Sequence, residues 1–320
     1  MNKKVFITGA AGFIGYHLAI HLHRRGDSVV GYDNFNSYYS PELKKARAAE
    51  LEKLGIPVIQ GDLNDSNTLE KSIVNHQTSH LVNLAAQAGV RYSIVSPESY
   101  LKANIDGFLS VLEFCRRHPH IKLTYASSSS VYGRNDKIPF SIDDPTDNPV
   151  SLYGVTKKTN ELMANSYHHL FGIAVTGLRF FTVYGPWGRP DMAYFSFADK
   201  IMKGEPIKVY HNGNMFRDFT YVDDIVAGTA AAIDLESQCE LFNLGNHQPE
   251  QLMTMIEILE ELCGKKALKT FLPMPREDVP STYADIAYSQ EKLNFQPKTS
   301  LRDGLKHFVE WFSCYPNFSH

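Results

Sequence analysis

The sequence predicts a doubly wound parallel α/β sheet with a smaller α/β lobe at its C-terminal end. Three observations point there. Short apolar runs alternate with longer segments of helical period across residues 3–179. A glycine-rich turn, Thr8-Gly9-Ala10-Ala11-Gly12-Phe13-Ile14-Gly15, separates the first such run from the first helical segment. Beyond Arg179 the rhythm changes to loops rich in Gly, Pro and Tyr.

The strand-like runs are 3–8, 28–32, 58–60, 80–84, 122–126 and 174–179; the helix-like segments between them are 13–25, 41–54, 66–75, 97–117 and 151–171. Strands that alternate with helices pair in parallel through right-handed crossovers, and such sheets take ligands at the carboxyl ends of their strands. The residues just after each strand are therefore the first candidates for a site. Later strands are expected at 207–210, 219–221 and 241–244, with helices at 193–203, 223–235, 251–263 and 300–312. The expected division is residues 1–178 plus about 220–247 in a Rossmann-type lobe, and about 179–219 plus 248–320 in the smaller one. No repeat or low-complexity linker separates them, so a shared core is expected.

Of the 320 residues, 43% are apolar and 21% charged, ordinary for a globular protein. A formal net charge of −3 lacks the basic surplus that nucleic-acid binding needs. The four cysteines, Cys115, Cys239, Cys263 and Cys314, include no CxxC pair. That argues against a zinc site or a disulfide framework and for a reducing compartment. His118 and His120 flank a proline, and His168 and His169 are adjacent. Neither is a ligand spacing, so no metal is expected. No apolar run is long enough to span a bilayer. The first strand starts so close to Met1 that a cleavable signal would destroy it. A cytoplasmic protein without a membrane partner is the expectation.

The glycine turn lets the backbone approach a pyrophosphate, whose charge the following helix N-terminus favours. Gly9, Gly12, Phe13, Ile14 and Gly15 form this candidate cradle. Asp33, beside Asn34, closes the second strand about 20 residues on, where a carboxylate accepts from the adenosine ribose hydroxyls. It would repel a 2′-phosphate, and no arginine neighbours it in sequence, so NAD is expected over NADP. After the fourth strand, Asn83-Leu84-Ala85-Ala86 supplies small residues for a close passage past the cofactor. The same segment also reads as an ordinary buried strand end.

Tyr153 and Lys157 stand four apart in the segment 151–171, so the phenol and the ammonium share a helix face. A phenol ionises near pH ~10, so a phenolate at neutral pH needs about 4 kcal/mol of stabilisation. Lys157 and a cationic nicotinamide ring can supply it by direct attraction. The fifth strand runs into Ser127-Ser128-Ser129-Ser130, whose hydroxyls would project towards the cofactor and relay or orient a substrate proton.

The GxxGxxG spacing resembles that of the short-chain dehydrogenase/reductase superfamily. By position, Ser128 resembles its third catalytic member and Asp62-Leu63 its adenine-edge contact. Four stretches narrow the likeness: Asp33-Asn34-Phe35-Asn36-Ser37-Tyr38-Tyr39, Ala88-Gly89-Val90-Arg91-Tyr92-Ser93, residues 178–192 around Tyr184-Gly185-Pro186-Trp187-Gly188-Arg189, and residues 217–224 from Arg217-Asp218-Phe219 onwards. From about Lys3 to the final helix the chain resembles the extended short-chain dehydrogenases and, within them, the UDP-glucuronate 4-epimerases. The resemblance implies that Tyr153 takes the proton of the sugar 4-hydroxyl while C4 gives hydride to NAD. The 4-keto sugar would then turn about its phosphate linkage and be reduced on its other face. The resemblance also implies a UDP-sugar partner, with Arg217 on the diphosphate, Asp278 on the ribose, and the backbone near Val209 and Tyr210 on the uracil. Arg276-Glu277 stands where the family pattern has Pro-Gly, leaving Arg276 as a phosphate contact or as the partner of Glu277. A homodimer through the segments 97–117 and 151–171 is implied as well.

A 4-keto uronate is a β-keto acid and loses carbon dioxide readily, so an epimerase must hold its carboxylate out of the decarboxylating orientation. Related decarboxylases and dehydratases carry an acidic residue where this chain has Ser129 and Ser130, neutral hydroxyls that bond a carboxylate without repelling it. Thr182 is a further donor, and Arg189 and Arg91 are the candidate cations. The alternatives are a UDP-glucose or UDP-N-acetylhexosamine 4-epimerase, a UDP-glucuronate decarboxylase, and an NAD-sensing module without chemistry.

Overall fold

The computed structural model describes residues 2–235 and 237–315. In chain order the first half is β1 (Lys4–Thr8), α1 (Phe13–Arg24), β2 (Ser28–Asp33), α2 (Pro41–Lys53), β3 (Val58–Gln60), α3 (Ser66–Asn75), β4 (His80–Asn83), α4 (Tyr92–Val95), α5 (Pro97–Tyr100), α6 (Gly107–Arg117), β5 (Lys122–Ser128), α7 (Leu152–Phe171) and β6 (Val175–Phe180). There follow β7 (Thr182–Tyr184), α8 (Ala193–Lys203), β8 (Pro206–Tyr210), β9 (Phe216–Tyr221), α9 (Val222–Asp234), β10 (Cys239–Leu244), β11 (Pro249–Gln251), α10 (Leu252–Cys263), β12 (Leu268–Leu272), α11 (Ala287–Leu293) and α12 (Leu301–Cys314).

Seven strands form one parallel sheet in the order β10-β6-β5-β4-β1-β2-β3. Because helices cover both faces, β1 and β6 are buried along nearly their whole length, which is why they read as unbroken apolar runs. The order reverses at β1, which pairs with β2 on one side and β4 on the other. A crevice opens at such a reversal, outside the carboxyl ends of the strands. One hydrophobic core runs from Val5, Ile7 and Leu18 under one face into Phe195, Ile256 and Phe308 of the later helices. A second core, with Phe6, Leu69, Phe108 and Leu112, fills the other face.

The later segments add a three-stranded sheet, β11-β9-β7, and a parallel pair, β12-β8. Three short strands here, β7, β11 and β12, carry no legible period. In β12 most side chains are exposed, so nothing forces alternation. The segment 97–117 is also not the single α-helix expected: α5 passes through a wider π-type turn over 101–106 before α6 begins. That turn carries Asn104 inwards. Its side chain accepts from the Gln87 N–H at 2.8 Å and donates to the Gln87 carbonyl at 3.0 Å and to Thr156 Oγ1 at 3.0 Å. The loop after β4 is thereby tied to α7. Widened turns of this kind recur beside functional sites.

Candidate active site

A cavity of about 570 Å³ opens at the β1/β4 reversal. Its floor is the glycine turn. Gly9 has φ +72°, and a Cβ there would lie 2.7 Å from the Ala85 nitrogen; one at Gly15 would lie 2.2 Å from the Gly9 carbonyl. Only glycine lets strand, turn and helix pack this closely. The N-cap of α1 is Gly12, with no side chain to occupy the first-turn N–H groups, so they are open to an anion. Phe13 and Ile14 complete this edge of the cavity, and Ala85 faces them from the end of β4.

Asp33 ends β2 within the same crevice. Its carboxylate accepts from the Ala11 N–H at 3.0 Å and the Phe35 N–H at 2.9 Å, and burial raises its pKa. Asn34 donates to Asp62 at 2.8 Å, and Tyr32 Oη donates to the Asp62 carbonyl at 2.9 Å, which draws Asp62 and Leu63 to the cavity rim.

The opposite wall comes from β5 and α7. Ser151 caps α7, accepting from the Gly154 N–H at 3.1 Å, and so sets the helix phase that turns Tyr153 and Lys157 into the cavity. Lys157 is 4% exposed and donates to the Ala126 carbonyl at 2.8 Å. Burial lowers its pKa to about 8, opposed by Glu161 one turn on. The Ser128 hydroxyl favours an ionised Tyr153 phenol, yet burial outweighs it and raises the pKa of Tyr153. All four serines border the cavity, but the Ser127 hydroxyl donates to Glu161 at 2.6 Å, and Glu161 takes both arms of the Arg179 fork at 2.8 and 2.9 Å. Ser128, Ser129 and Ser130 line the cavity with Thr182 and Arg189. Arg189 forks onto Asp191 at 3.0 and 2.8 Å, and Tyr38 donates to the same carboxylate at 3.1 Å.

Five of the residues expected on the substrate do not line this cavity: Arg91, Val209, Arg217, Arg276 and Asp278. Three of them gather in a separate cluster. Arg217 pairs with Asp278 at 2.7 Å, Arg91 approaches the other carboxylate oxygen at 3.7 Å, and the Arg91 guanidinium lies 4.4 Å above the Tyr210 ring. Val209 is wholly buried in β8, opposite Phe271 of β12, so only its backbone is near that cluster. Arg276 is exposed, and among the described residues its side chain pairs neither with Glu277 nor with another group.

Sequence reasoning gave no site role to Asn36, Tyr38, Tyr39, Lys44 and Gln87, all of which line the cavity. Lys44 donates to the Asn36 carbonyl at 2.7 Å, and burial lowers its pKa to about 8. It occupies what reads as the polar face of α2, where charge is the default expectation. The aromatic pair Tyr38-Tyr39 between β2 and α2 was the available signal.

Residues 5–245 match the protein family described as the NAD dependent epimerase/dehydratase family. UDP-glucuronate 4-epimerase 4 of Arabidopsis thaliana is 49% identical over 329 aligned residues, spanning 97% of this chain and 75% of that protein. The solved structure of UDP-glucuronic acid 4-epimerase from Bacillus cereus, in complex with UDP-glucuronic acid and NAD, superposes with a TM-score of 0.91. It is 34% identical, over 97% of this chain and 99% of that one. The UDP-glucose 4-epimerase of Thermotoga maritima, solved with UDP-glucose, gives a TM-score of 0.86 at 29% identity, over 99% of this chain and 100% of that one. With that glycine turn and that match over most of its length, the chain belongs to the NAD dependent epimerase/dehydratase family.

Proposed function

We propose that this chain epimerises UDP-glucuronate to UDP-galacturonate at C4, with NAD as its cofactor, through a 4-keto intermediate. The observation that carries the reading is Tyr153, Lys157 and Ser128 on one wall of the cavity whose floor is the Gly9–Gly15 turn. The residues present fit a dinucleotide. The turn has no space for a Cβ at Gly9 or Gly15, the first-turn N–H groups of α1 suit a pyrophosphate, and Asp33 suits ribose hydroxyls. Asn34, Asp62, Leu63 and Ala85 would border the adenosine and the ring. The chemistry NAD supplies when bound is reversible hydride exchange at C4, under a positive charge that favours a phenolate nearby.

Tyr153 takes the proton of the 4-hydroxyl and returns it to the keto oxygen after the sugar has turned over. Lys157 holds the phenolate by charge, and Ser128 orients both oxygens. Ser129, Ser130 and Thr182 donate to the uronate carboxylate without repelling it, which keeps it from the orientation that loses carbon dioxide. Arg189, steered by Asp191, closes on the carboxylate or the phosphates. Arg217, Asp278 and Arg91 receive the UDP end, with the Val209 backbone beside the uracil and Arg276 reaching in from the rim. On this reading residues 1–178 plus about 220–247 form the NAD-binding part, and about 179–219 plus 248–320 the substrate part.

Two further features belong to the reading. All four cysteines are free thiols, as suits the cytoplasm, and no helix among the described residues is long and apolar enough to cross a membrane. Leu109 of α6 and Val155, Leu162 and Leu170 of α7 are exposed. Exposed apolar side chains on these two helices suit a homodimer joined through them, testable by sedimentation.

NMR of the purified protein with UDP-glucuronate tests the function: C4 inversion to UDP-galacturonate is expected. Equal turnover of UDP-glucose would remove the uronate assignment, and release of a UDP-pentose would show a decarboxylase instead.

A further inference from the structure

Arg47 is a wholly buried cation on α2 that the reaction above does not use. Among the described residues its hydrogen bonds go to carbonyls and one hydroxyl, never to a carboxylate. Nη1 donates to the Ala11 carbonyl at 2.9 Å and to the Tyr39 hydroxyl at 2.8 Å; Nε donates to the Trp187 carbonyl at 3.0 Å and Nη2 to the Gly188 carbonyl at 2.9 Å. Burying a cation is costly unless its donors are satisfied, and the nearby Asp33 carboxylate acts on it only through space. Here the acceptors come from three segments far apart in sequence.

Each segment faces the cavity in its own way. Ala11 lies inside the glycine turn, and its N–H is already held by Asp33 at 3.0 Å. With its carbonyl on Arg47, that peptide is fixed from both sides. Tyr39 lines the cavity in the loop after β2. Trp187 and Gly188 lie in the loop after β7, where Trp187 has φ +58°, a conformation unfavourable for a bulky residue unless its surroundings impose it. The two successive carbonyls of this bend converge on one guanidinium. Arg189, next in the chain, lines the cavity, and on the epimerase reading it faces the sugar.

We propose that Arg47 is a positioning residue that couples the dinucleotide turn to the sugar-side loop, so that holding the cofactor and placing Arg189 reinforce each other. The planar fork is what this requires, because its donors diverge in fixed directions towards separate segments, whereas an ammonium is a compact point charge. The inference rests on the epimerase reading for the identity of the two ligands, and the coupling it describes is reciprocal between them.

The test is Arg47→Lys in the full chain, which keeps the charge and loses the fork. Melting should stay cooperative, while the NAD Kd and the KM for UDP-glucuronate each rise by about tenfold, as for one lost charged hydrogen-bond set. Combined with Arg189→Lys, the two KM effects should fail to multiply, because residues acting through one another are not additive. Trp187 and Trp311 are the chain's two tryptophans. On a Trp311→Phe background, Arg47→Lys should therefore shift the Trp187 emission with no ligand added. A variant that melts lower but keeps NAD Kd, KM and Trp187 emission within measurement error overturns the proposal, as does simple multiplication of the two KM effects. If Arg47→Lys does not fold, Tyr39→Phe removes one acceptor alone; a rise of about threefold in NAD Kd supports the proposal and an unchanged Kd overturns it. The NAD and emission measurements need no sugar. Wild-type protein inert towards UDP-glucuronate would defeat the epimerase reading and leave them standing.

Discussion

At the cofactor edge the backbone makes the surface; at the Asp278 cluster side chains do. Gly9 and Gly15 leave no space for a Cβ, and the Ala11 and Phe35 N–H groups fix the Asp33 carboxylate. Around Asp278 the elements are side chains from three segments, with the Arg217 and Arg91 guanidiniums both drawn to the one Asp278 carboxylate, which leaves the cluster a net positive charge. The first surface is set once the strands pair. The second depends on charge balance, so a ligand's phosphates must compete with a standing ion pair. Substitutions should therefore be all-or-none at the cofactor edge and graded at the nucleotide end.

The largest effect should come from Tyr153→Phe. General acid–base catalysis contributes about 10²–10⁴-fold, so inversion followed by NMR should fall by about 10³-fold while NAD affinity, by calorimetry, holds. Retained activity would move the proton transfer elsewhere. Gly9→Ala comes next: a non-glycine residue at φ +72°, with its Cβ 2.7 Å from the Ala85 nitrogen, should lower stability by about 1–3 kcal/mol and abolish measurable NAD binding. Normal binding would show that the turn yields, and would erase the contrast between the two regions.

Arg217→Met should raise the KM for UDP-glucuronate by about 10–100-fold, as for a lost charge-assisted hydrogen bond, and leave NAD affinity unchanged. A loss of both would mean the two regions are not independent at that point. The smallest effect is on stability. Lys157 is buried with its pKa lowered to about 8, so below that pH the folded state carries the full cost of a buried charge. Between about 8 and the ordinary lysine value the unfolded chain binds more protons, so wild-type stability rises with pH in that window. Lys157→Met should thus melt higher than wild type at pH 7, by about 1–2 kcal/mol, with the gain fading towards pH 10. A gain independent of pH would deny that the ammonium is charged when buried.

The same contrast explains what could be read in advance. Strand alternation, the glycine spacing, Asp33 and the Tyr153/Lys157 pair were legible because backbone rules fix them: a parallel strand buried on both faces is apolar throughout, and positions four apart share a helix face. Arg217, Arg91 and Asp278 were chosen by resemblance, since no local period connects segments 61 or more residues apart, and the structure gathers them outside the main cavity. Lys44 and Arg47 were invisible for a different reason. They lie on a helix whose sequence, Pro41-Glu42-Leu43-Lys44-Lys45-Ala46-Arg47, reads as solvated, and only the loops after β2 and β7, folded over it, bury them. The π-type turn at Asn104 was equally hidden, within a segment whose overall period reads as one helix over 97–117.

The most direct measurement of the central claim follows deuterium placed at C4 of UDP-glucuronate. Transient oxidation at one carbon, beside Tyr153, predicts UDP-galacturonate with the label still at C4 and none in the solvent. Label washed into water, or product formed with C4 untouched, would contradict it.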